Sequence, residues 1–233
     1  MIKVILWDVD GTLLDFEKAE YAALKKCFEL YNLGPCTDEM IERYIVINKG
    51  WWEKLERGEV TKQQVLVGRF KEFFAAEGIE SGGCEEALNE EYQVQLGLNP
   101  VFCDGARELV SALKESGRVK QYGVTNGTKV AQDGKLKQSG LIDLFDDVFI
   151  SEVVGVEKPG IGFFDHVWSV IGCFAPEEVL IVGDSLTSDM QGGNNAGILC
   201  CWYNPKGLAN NKGVRVDYEI SHLSQIKEIL KEA

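Results

Sequence analysis

Apolar positions along the chain follow two rhythms. The run "IKVILW" (2–7) is short, unbroken, rich in β-branched residues and ended by an Asp-Gly turn. That length and content predict a strand buried on both faces rather than a helix. The same grammar returns in "KQYGVTNG" near 120, "DDVFIS" near 147, "EEVLIVGDS" near 178 and "ILCCWY" near 198. Amphipathic segments between these runs predict helices at roughly 104–116, 128–139, 161–171 and 187–196, the first two stopped by Gly117 and Gly140. Strand and helix in alternation give crossover units. The fold class is therefore α/β, with a Rossmann-like parallel sheet and a functional crevice at the carboxyl ends of its strands.

Residues 16–95 break that rhythm and read as helical throughout. In "FEKAEYAALKKCFELY", Phe16, Ala19, Ala23, Cys27 and Leu30 recur at helical spacing and predict a core-facing stripe. Thr61 followed by Gln64 is a capping-box pattern, Gly78 supplies the stop, and "ESGGCEE" (80–86) reads as a loop. A helical module is thus spliced in just after the first strand, above the mouth of the crevice, where a lid belongs. The expected organisation is a core domain of residues 1–15 and 96–233 with a helical cap domain of residues 16–95.

Composition narrows the partners. With 45% hydrophobic and 26% charged residues among 233, the chain reads as an ordinary globular protein of one main domain with an insertion. A net charge of -13 opposes binding to nucleic acid or to an anionic membrane surface, both of which need a basic face. An anionic substrate must then be helped in locally, and a divalent cation is the obvious helper. The seven cysteines (27, 36, 84, 103, 173, 200, 201) are odd in number, scattered and never spaced CxxC, so they read as reduced thiols, with Cys200 and Cys201 on a strand. Neither a leader nor an apolar run long enough to span a bilayer is apparent, which predicts a cytoplasmic location.

The candidate chemistry sits at the predicted strand tips. Asp8 and Asp10 are two apart, so an extended backbone places both on one side, facing the crevice. The plain alternative is an Asp-Gly turn with solvated carboxylates. After the second core strand, Thr125 and Asn126 offer a hydroxyl and backbone N–H groups to a phosphate, while Gly127 permits close approach. Lys158 in "GVEKPG" would be the one cation available to a phosphoryl group and a nest of carboxylates. The strand "VLIV" ends in "GDSLTSD", where Asp184 and Asp189 suit either helix capping or a magnesium site, since magnesium takes oxygen ligands. Only His166 and His222 are present, and neither a GxSxG elbow nor a Walker A loop occurs, so histidine-based and P-loop chemistries lack their parts.

In order, "DVDGT", "VTNG", "EKPG" and "GDSLTSD" resemble the four motifs of the haloacid dehalogenase-like superfamily, with a helical cap between the first and second. The resemblance covers essentially the whole chain. The stretches 47–70 and 183–205 are similar to its branch of 5'-nucleotidases acting on pyrimidine and noncanonical nucleoside monophosphates. It implies that Asp8 is a nucleophile forming an aspartyl phosphate, and that Asp10 is the general acid for the leaving alcohol and then the base for water. It further implies Mg2+ held by Asp8, Asp184 and the Asp10 carbonyl with support from Asp189, and a phosphoryl group gripped by Thr125, Asn126 and Lys158. Three glycines depart from the pattern: Gly160 and Gly162 loosen the stretch after Lys158, and Gly134 falls inside a predicted helix at a cost of about 1 kcal/mol.

The resemblance implies a phosphatase of a small phosphate monoester, most readily a nucleoside 5'-monophosphate. Phosphoglycolate, a sugar phosphate, a phosphomutase reaction and a non-catalytic phosphate-binding regulator stay open beside it. In the cap, Asn48 and Trp52 are one helical turn apart and placed to reach a nucleobase by hydrogen bonding and stacking, while core packing is the other reading for both Trp51 and Trp52.

Overall fold

The computed structural model describes residues 1–172 and 174–232. Every strand read from the sequence is present: β1 (Val4–Trp7), β2 (Lys120–Thr125), β3 (Asp147–Ile150), β4 (Val179–Gly183) and β5 (Leu199–Tyr203). A sixth, β6 (Tyr218–Ile220), was not foreseen, because three residues of mixed polarity carry no periodic signal. All pairings are parallel, in the order β3-β2-β1-β4-β5-β6.

Alternation along β1 explains why both faces are covered. Ile5 and Trp7 enter one apolar cluster, with α5 (Ala106–Ser116), α6 (Lys129–Ser139) and α10 (Ile226–Glu232). Val4 and Leu6 enter the other, against α8 (Ile161–Ile171) and Met190. A buried polar side chain under this part of the sheet, Gln121, accepts from Trp7 Nε1 at 3.1 Å and donates to the Val110 carbonyl at 3.0 Å. A short α7 (Ser151–Val154) follows β3, and α9 (Gln191–Ala196) precedes β5.

Four helices fill residues 16–98: α1 (Phe16–Leu30), α2 (Asp38–Glu56), α3 (Lys62–Glu77) and α4 (Glu85–Leu98). They bury their own cluster, built on Phe28, Tyr44, Phe70, Phe73, Phe74 and Tyr92. The Thr61–Gln64 capping box forms as read, and Gly78 closes α3 at φ 65°. The stripe on α1 differs at its end. Ala19, Ala23 and Cys27 are buried as expected, but Leu30 is 47% exposed, and Glu20, Leu24 and Phe28 widen the buried face. Glu85 and Glu86 begin α4 rather than belonging to the loop, their charges favouring a helix N-terminus. The chain leaves and re-enters the sheet layer through paired segments: Asp15 N–H donates to Val101 O at 2.8 Å and Cys103 N–H to Leu13 O at 2.9 Å.

Gly134 is not a loose point. A Cβ there would lie 2.8 Å from the Cα of Gly97, so α6 and α4 cross backbone to backbone. Gly160 is equally constrained, since a Cβ would meet the Glu157 carbonyl at 2.9 Å. Cys27, Cys200 and Cys201 are buried thiols, the latter two on β5, and Cys36, Cys84 and Cys103 are free; Cys173 lies outside the described residues. No helix among the described residues is long and apolar enough to cross a membrane.

Candidate active site

A cavity of about 1080 Å³ lies between the strand tips and the helical module. That is room for a ligand of nucleotide size. Asp8, Asp10, Thr125, Asn126, Lys158, Asp184 and Asp189 all line it, whereas His166 and His222 do not. Asp8 prolongs β1 by one residue, its N–H donating to Val182 O at 2.9 Å. The chain then turns at Gly11, φ 85°, a conformation that favours glycine. A second reason for glycine is room, because a Cβ would stand 2.6 Å from the Asp184 carboxylate. Gly183 plays the same part for Asp189, whose carboxylate would lie 2.2 Å from a Cβ.

Lys158 is the hub. Fully buried, its ammonium donates to Asp8 Oδ1 at 2.8 Å, Asp189 Oδ1 at 2.7 Å and the Val124 carbonyl at 2.7 Å. Burial alone would lower its pKa, but Asp189 and Asp8 more than offset this and hold it well above the ordinary range. Asp189 Oδ2 also accepts from Ser185 N–H at 3.1 Å. The capping role falls to Ser185 rather than to either aspartate, its hydroxyl accepting from Ser188 N–H at 3.1 Å. The helix expected from residue 187 therefore begins as a π-helical turn, Leu186–Met190, with α9 following only from Gln191. Such turns recur at functional sites because they redirect side chains.

Three carboxylates face that single ammonium. Ligand oxygens of Asp8, Asp184 and Asp189 lie within 4.8 Å of one another. Burial, then the neighbouring Asp189, pushes the Asp8 carboxyl up to about 7. Asp184 opens onto the cavity yet lies deep in the cleft, and that enclosure, with Asp8 and Asp189 beside it, raises its carboxyl well above the usual range. Crowded hard oxygens with surplus negative charge fit a magnesium ion, which takes carboxylate ligands and would relieve the repulsion.

The phosphate-binding candidates are placed but not all in the expected way. The Asn126 side chain ties two loops together, donating to Lys158 O at 2.8 Å and accepting from Lys158 N–H at 2.8 Å. Its amide is thus engaged, which leaves its backbone as the group to offer a ligand. Thr125 Oγ1 accepts from Gly127 N–H at 3.1 Å. The room beside Gly127 is filled by Gln132, whose Nε2 would be 2.2 Å from a Cβ.

Lys158 is not the sole cation at the site. Lys135, also buried, reaches Asp10 Oδ1 at 2.5 Å, and Gln132 Nε2 reaches Asp10 Oδ2 at 2.6 Å. Both residues lie on α6, where the sequence pattern offered only the i, i+3 spacing as a signal. From the helical module, Glu20, Asn48, Trp52, Glu56 and Arg69 reach the cavity wall. Asn48 is engaged on both sides of its amide: Nδ2 donates to Glu20 Oε1 at 2.7 Å, and Oδ1 accepts from Arg69 Nη1 at 2.9 Å. Burial raises the Glu20 carboxyl to about 7 despite Arg69, Asn48 and Tyr92. Trp51 packs against Gly68, where a Cβ would fall 2.5 Å from its ring, and donates to Glu72 at 2.9 Å; Trp52 instead faces the cavity.

Comparison with known proteins agrees with this geometry. A family model described as haloacid dehalogenase-like hydrolase matches residues 2–197. The chain is 38% identical to the HAD-hydrolase YfnB of Bacillus subtilis over 98% of this chain and 95% of that protein. A crystal structure of YfnB bound to magnesium, described as revealing interdomain movement, superposes with a TM-score of 0.91 over 98% of both chains. The chain is also 36% identical to the pyrimidine 5'-nucleotidase PynA of Streptococcus pneumoniae, covering 98% of this chain and 94% of PynA. With the pyrimidine 5'-nucleotidase YjjG of Escherichia coli it shares 32% identity, over 97% of this chain and 96% of YjjG. Strand-tip aspartates around one buried lysine, on a parallel sheet four of whose six strands fall within the residues this family model matches, place the chain among the haloacid dehalogenase-like hydrolases.

Proposed function

We propose that this hydrolase is a magnesium-dependent phosphatase acting through an aspartyl phosphate, with a nucleoside 5'-monophosphate, pyrimidine or noncanonical, as substrate. The observation that carries the reading is the convergence of Asp8, Asp10, Lys158, Asp184 and Asp189 on one cavity of nucleotide size. Relatives at 36% and 32% identity named as pyrimidine 5'-nucleotidases support the choice of ester.

In this reading the Asp8 carboxylate attacks phosphorus, and the ester bond to the leaving oxygen breaks as Asp10 protonates that oxygen. Water, losing a proton to Asp10, then attacks phosphorus of the acyl phosphate and restores Asp8. Lys158 and the Thr125–Asn126 segment grip the phosphoryl oxygens. Asp8 and Asp184, with the Asp10 carbonyl and support from Asp189, would hold the magnesium, which supplies positive charge to the transferring phosphoryl group. Phosphate monoester hydrolysis can need acceleration of up to about 10²¹, and general acid-base catalysis typically gives only about 10² to 10⁴. Most of the effect must therefore come from positioning and preorganised charge, which is what a rigid, buried lysine hub provides.

Residues 16–95 act as the cap and residues 1–15 with 96–233 as the catalytic core. Trp52, half-buried and facing the cavity, is the residue placed to stack on a base. The test is phosphate release with magnesium from pyrimidine, purine and modified nucleoside monophosphates beside sugar phosphates and phosphoglycolate. A lead of at least about tenfold in kcat/KM for a pyrimidine or modified nucleotide is expected, worth about 1.4 kcal/mol in the transition state. A lead for a sugar phosphate or phosphoglycolate overturns the substrate, and no phosphate from any of them overturns the reaction.

A further inference from the structure

The Asp10 carboxylate is held at both oxygens from one helix. Lys135 Nζ donates to Oδ1 at 2.5 Å and Gln132 Nε2 donates to Oδ2 at 2.6 Å. The two donors stand one turn apart on α6, at 1% and 0% exposure, so neither has bulk water as an alternative partner. Burying an ammonium is costly unless it is paired, and here the compensation comes from Asp10 and from the face of Phe16, whose ring centre is 4.9 Å from Nζ. Each carboxylate oxygen retains a further lone pair, so the two donors fix the group's direction without using up its capacity to exchange a proton.

The helical module locates those donors. Gly134 of α6 abuts Gly97 of α4 closely enough that a Cβ on either would meet the other's backbone at 2.8 or 3.1 Å. At the start of α6, the Thr128 hydroxyl donates to Gln93 Oε1 on α4 at 2.7 Å. Phe16, beneath Lys135, opens α1. Groups on α1 and α4 therefore set where Lys135 and Gln132 stand.

We propose that Lys135 and Gln132 are positioning residues that aim the Asp10 carboxyl at the leaving-group oxygen, making proton transfer at Asp10 depend on how the helical module seats against α6. The inference rests on the reading of Asp10 as proton donor and acceptor given above. The protein with magnesium is assayed for kcat on a nucleoside monophosphate, whose alkoxide leaves poorly, and on nitrophenyl phosphate, whose phenolate leaves easily. Lys135→Met and Gln132→Met are each made alone and with Asp10→Asn, and Lys135→Arg tests rescue.

The expected result is a loss for each single variant that is at least about tenfold larger on the nucleotide than on nitrophenyl phosphate, within the range of acid-base effects. Neither substitution should cause much further loss once Asp10 is asparagine, and Lys135→Arg should recover most of the nucleotide activity. Equal losses on both substrates, or full additivity with Asp10→Asn, overturn the proposal. Gln132→Met replaces a neutral group by one of similar length, so it decides the matter should Lys135→Met fail to fold. Asp10→Asn alone reports on the underlying reading: if its loss is the same on both substrates the acid-base role falls, whereas a selective loss there with unselective Lys135 and Gln132 variants sinks the positioning role only.

Discussion

At the carboxyl ends of the sheet, three carboxylates crowd around the Lys158 ammonium, whereas in the helical module one carboxylate, Glu20, is matched to one guanidinium, Arg69, through Asn48. Apart from Asp184, which opens onto the cavity, both sets are buried, and the difference is balance. The strand-tip cluster carries surplus negative charge that a folded protein gains nothing from by itself, which fits the proposed cation site. The helical network sets one guanidinium against one carboxylate and adds amide partners: Arg69 continues to Asn89 at 2.9 Å, its guanidinium lies 5.0 Å from the rings of Phe70 and Tyr92, and its Nε finds no partner. It holds a shape. Stability and function should therefore respond oppositely to substitutions in the two regions.

The largest expected effect is at Asp8. Asp8→Asn should lower kcat at least about 10³-fold, as loss of a covalent nucleophile does. Thermal unfolding should meanwhile show unchanged or raised stability, because the substitution removes one member of a charge surplus. A variant that is both inactive and markedly less stable would erase the contrast. Next comes Arg69→Met, expected to destabilise by about 3 kcal/mol in denaturant titration at pH 8, since Glu20 loses its counter-charge, Asn48 Oδ1 loses its donor and Asn89 Oδ1 keeps only Gln93. The deficit should shrink at pH 5, where Glu20 holds its proton.

Glu20 itself sharpens the comparison through pH. Its folded-state value, about 7, lies above the ordinary 4.5, so the folded protein binds that proton more tightly than the unfolded chain does. The associated stability is fully present below about pH 4.5 and is lost as pH rises through about 7, up to about 3 kcal/mol in total. Glu20→Gln should be more stable than the parent at pH 8 and the difference should vanish towards pH 4.5, as read by denaturant midpoints. A constant difference across that window would mean that Glu20 is ionised in the folded state throughout. The smallest effect is expected at Trp52: Trp52→Ala should change the ratio of kcat/KM between pyrimidine and purine nucleotides by a few-fold, about 1 kcal/mol, with kcat on nitrophenyl phosphate much less affected. An unchanged ratio would leave the helical module without a base-reading aromatic.

Asp8, Asp10, Thr125, Asn126, Lys158, Asp184 and Asp189 were legible as candidates from the sequence alone, because each lies beyond a strand-like run, and a parallel sheet gathers such ends at one edge, where all seven line the cavity. The partners that complete the site were not. Lys135 sits in "GKLKQ", where alternating charge reads as a solvated helix face, and Glu20 and Arg69 occupy polar positions on amphipathic helices that look like surface. Gly134 was read as a weak point in a helix, and the crossing with α4 is what gives it a purpose. Gly97, 37 positions earlier in the numbering, was the missing half of that reading.

What the sequence alone determined is the punctuation: which runs become strands, where each one turns, and that acidic residues and one lysine stand at those turns. Local sterics and hydrophobic periodicity act over a few residues, so they leave a readable trace. Only the tertiary structure decided which buried charge faces which. Lys135 meets Asp10 across 125 residues and Lys158 meets Asp8 across 150, and no local preference encodes a partner at that separation. Those pairings follow from the order of strands in the sheet and the seating of α4 on α6, which are settled by packing the chain as a whole.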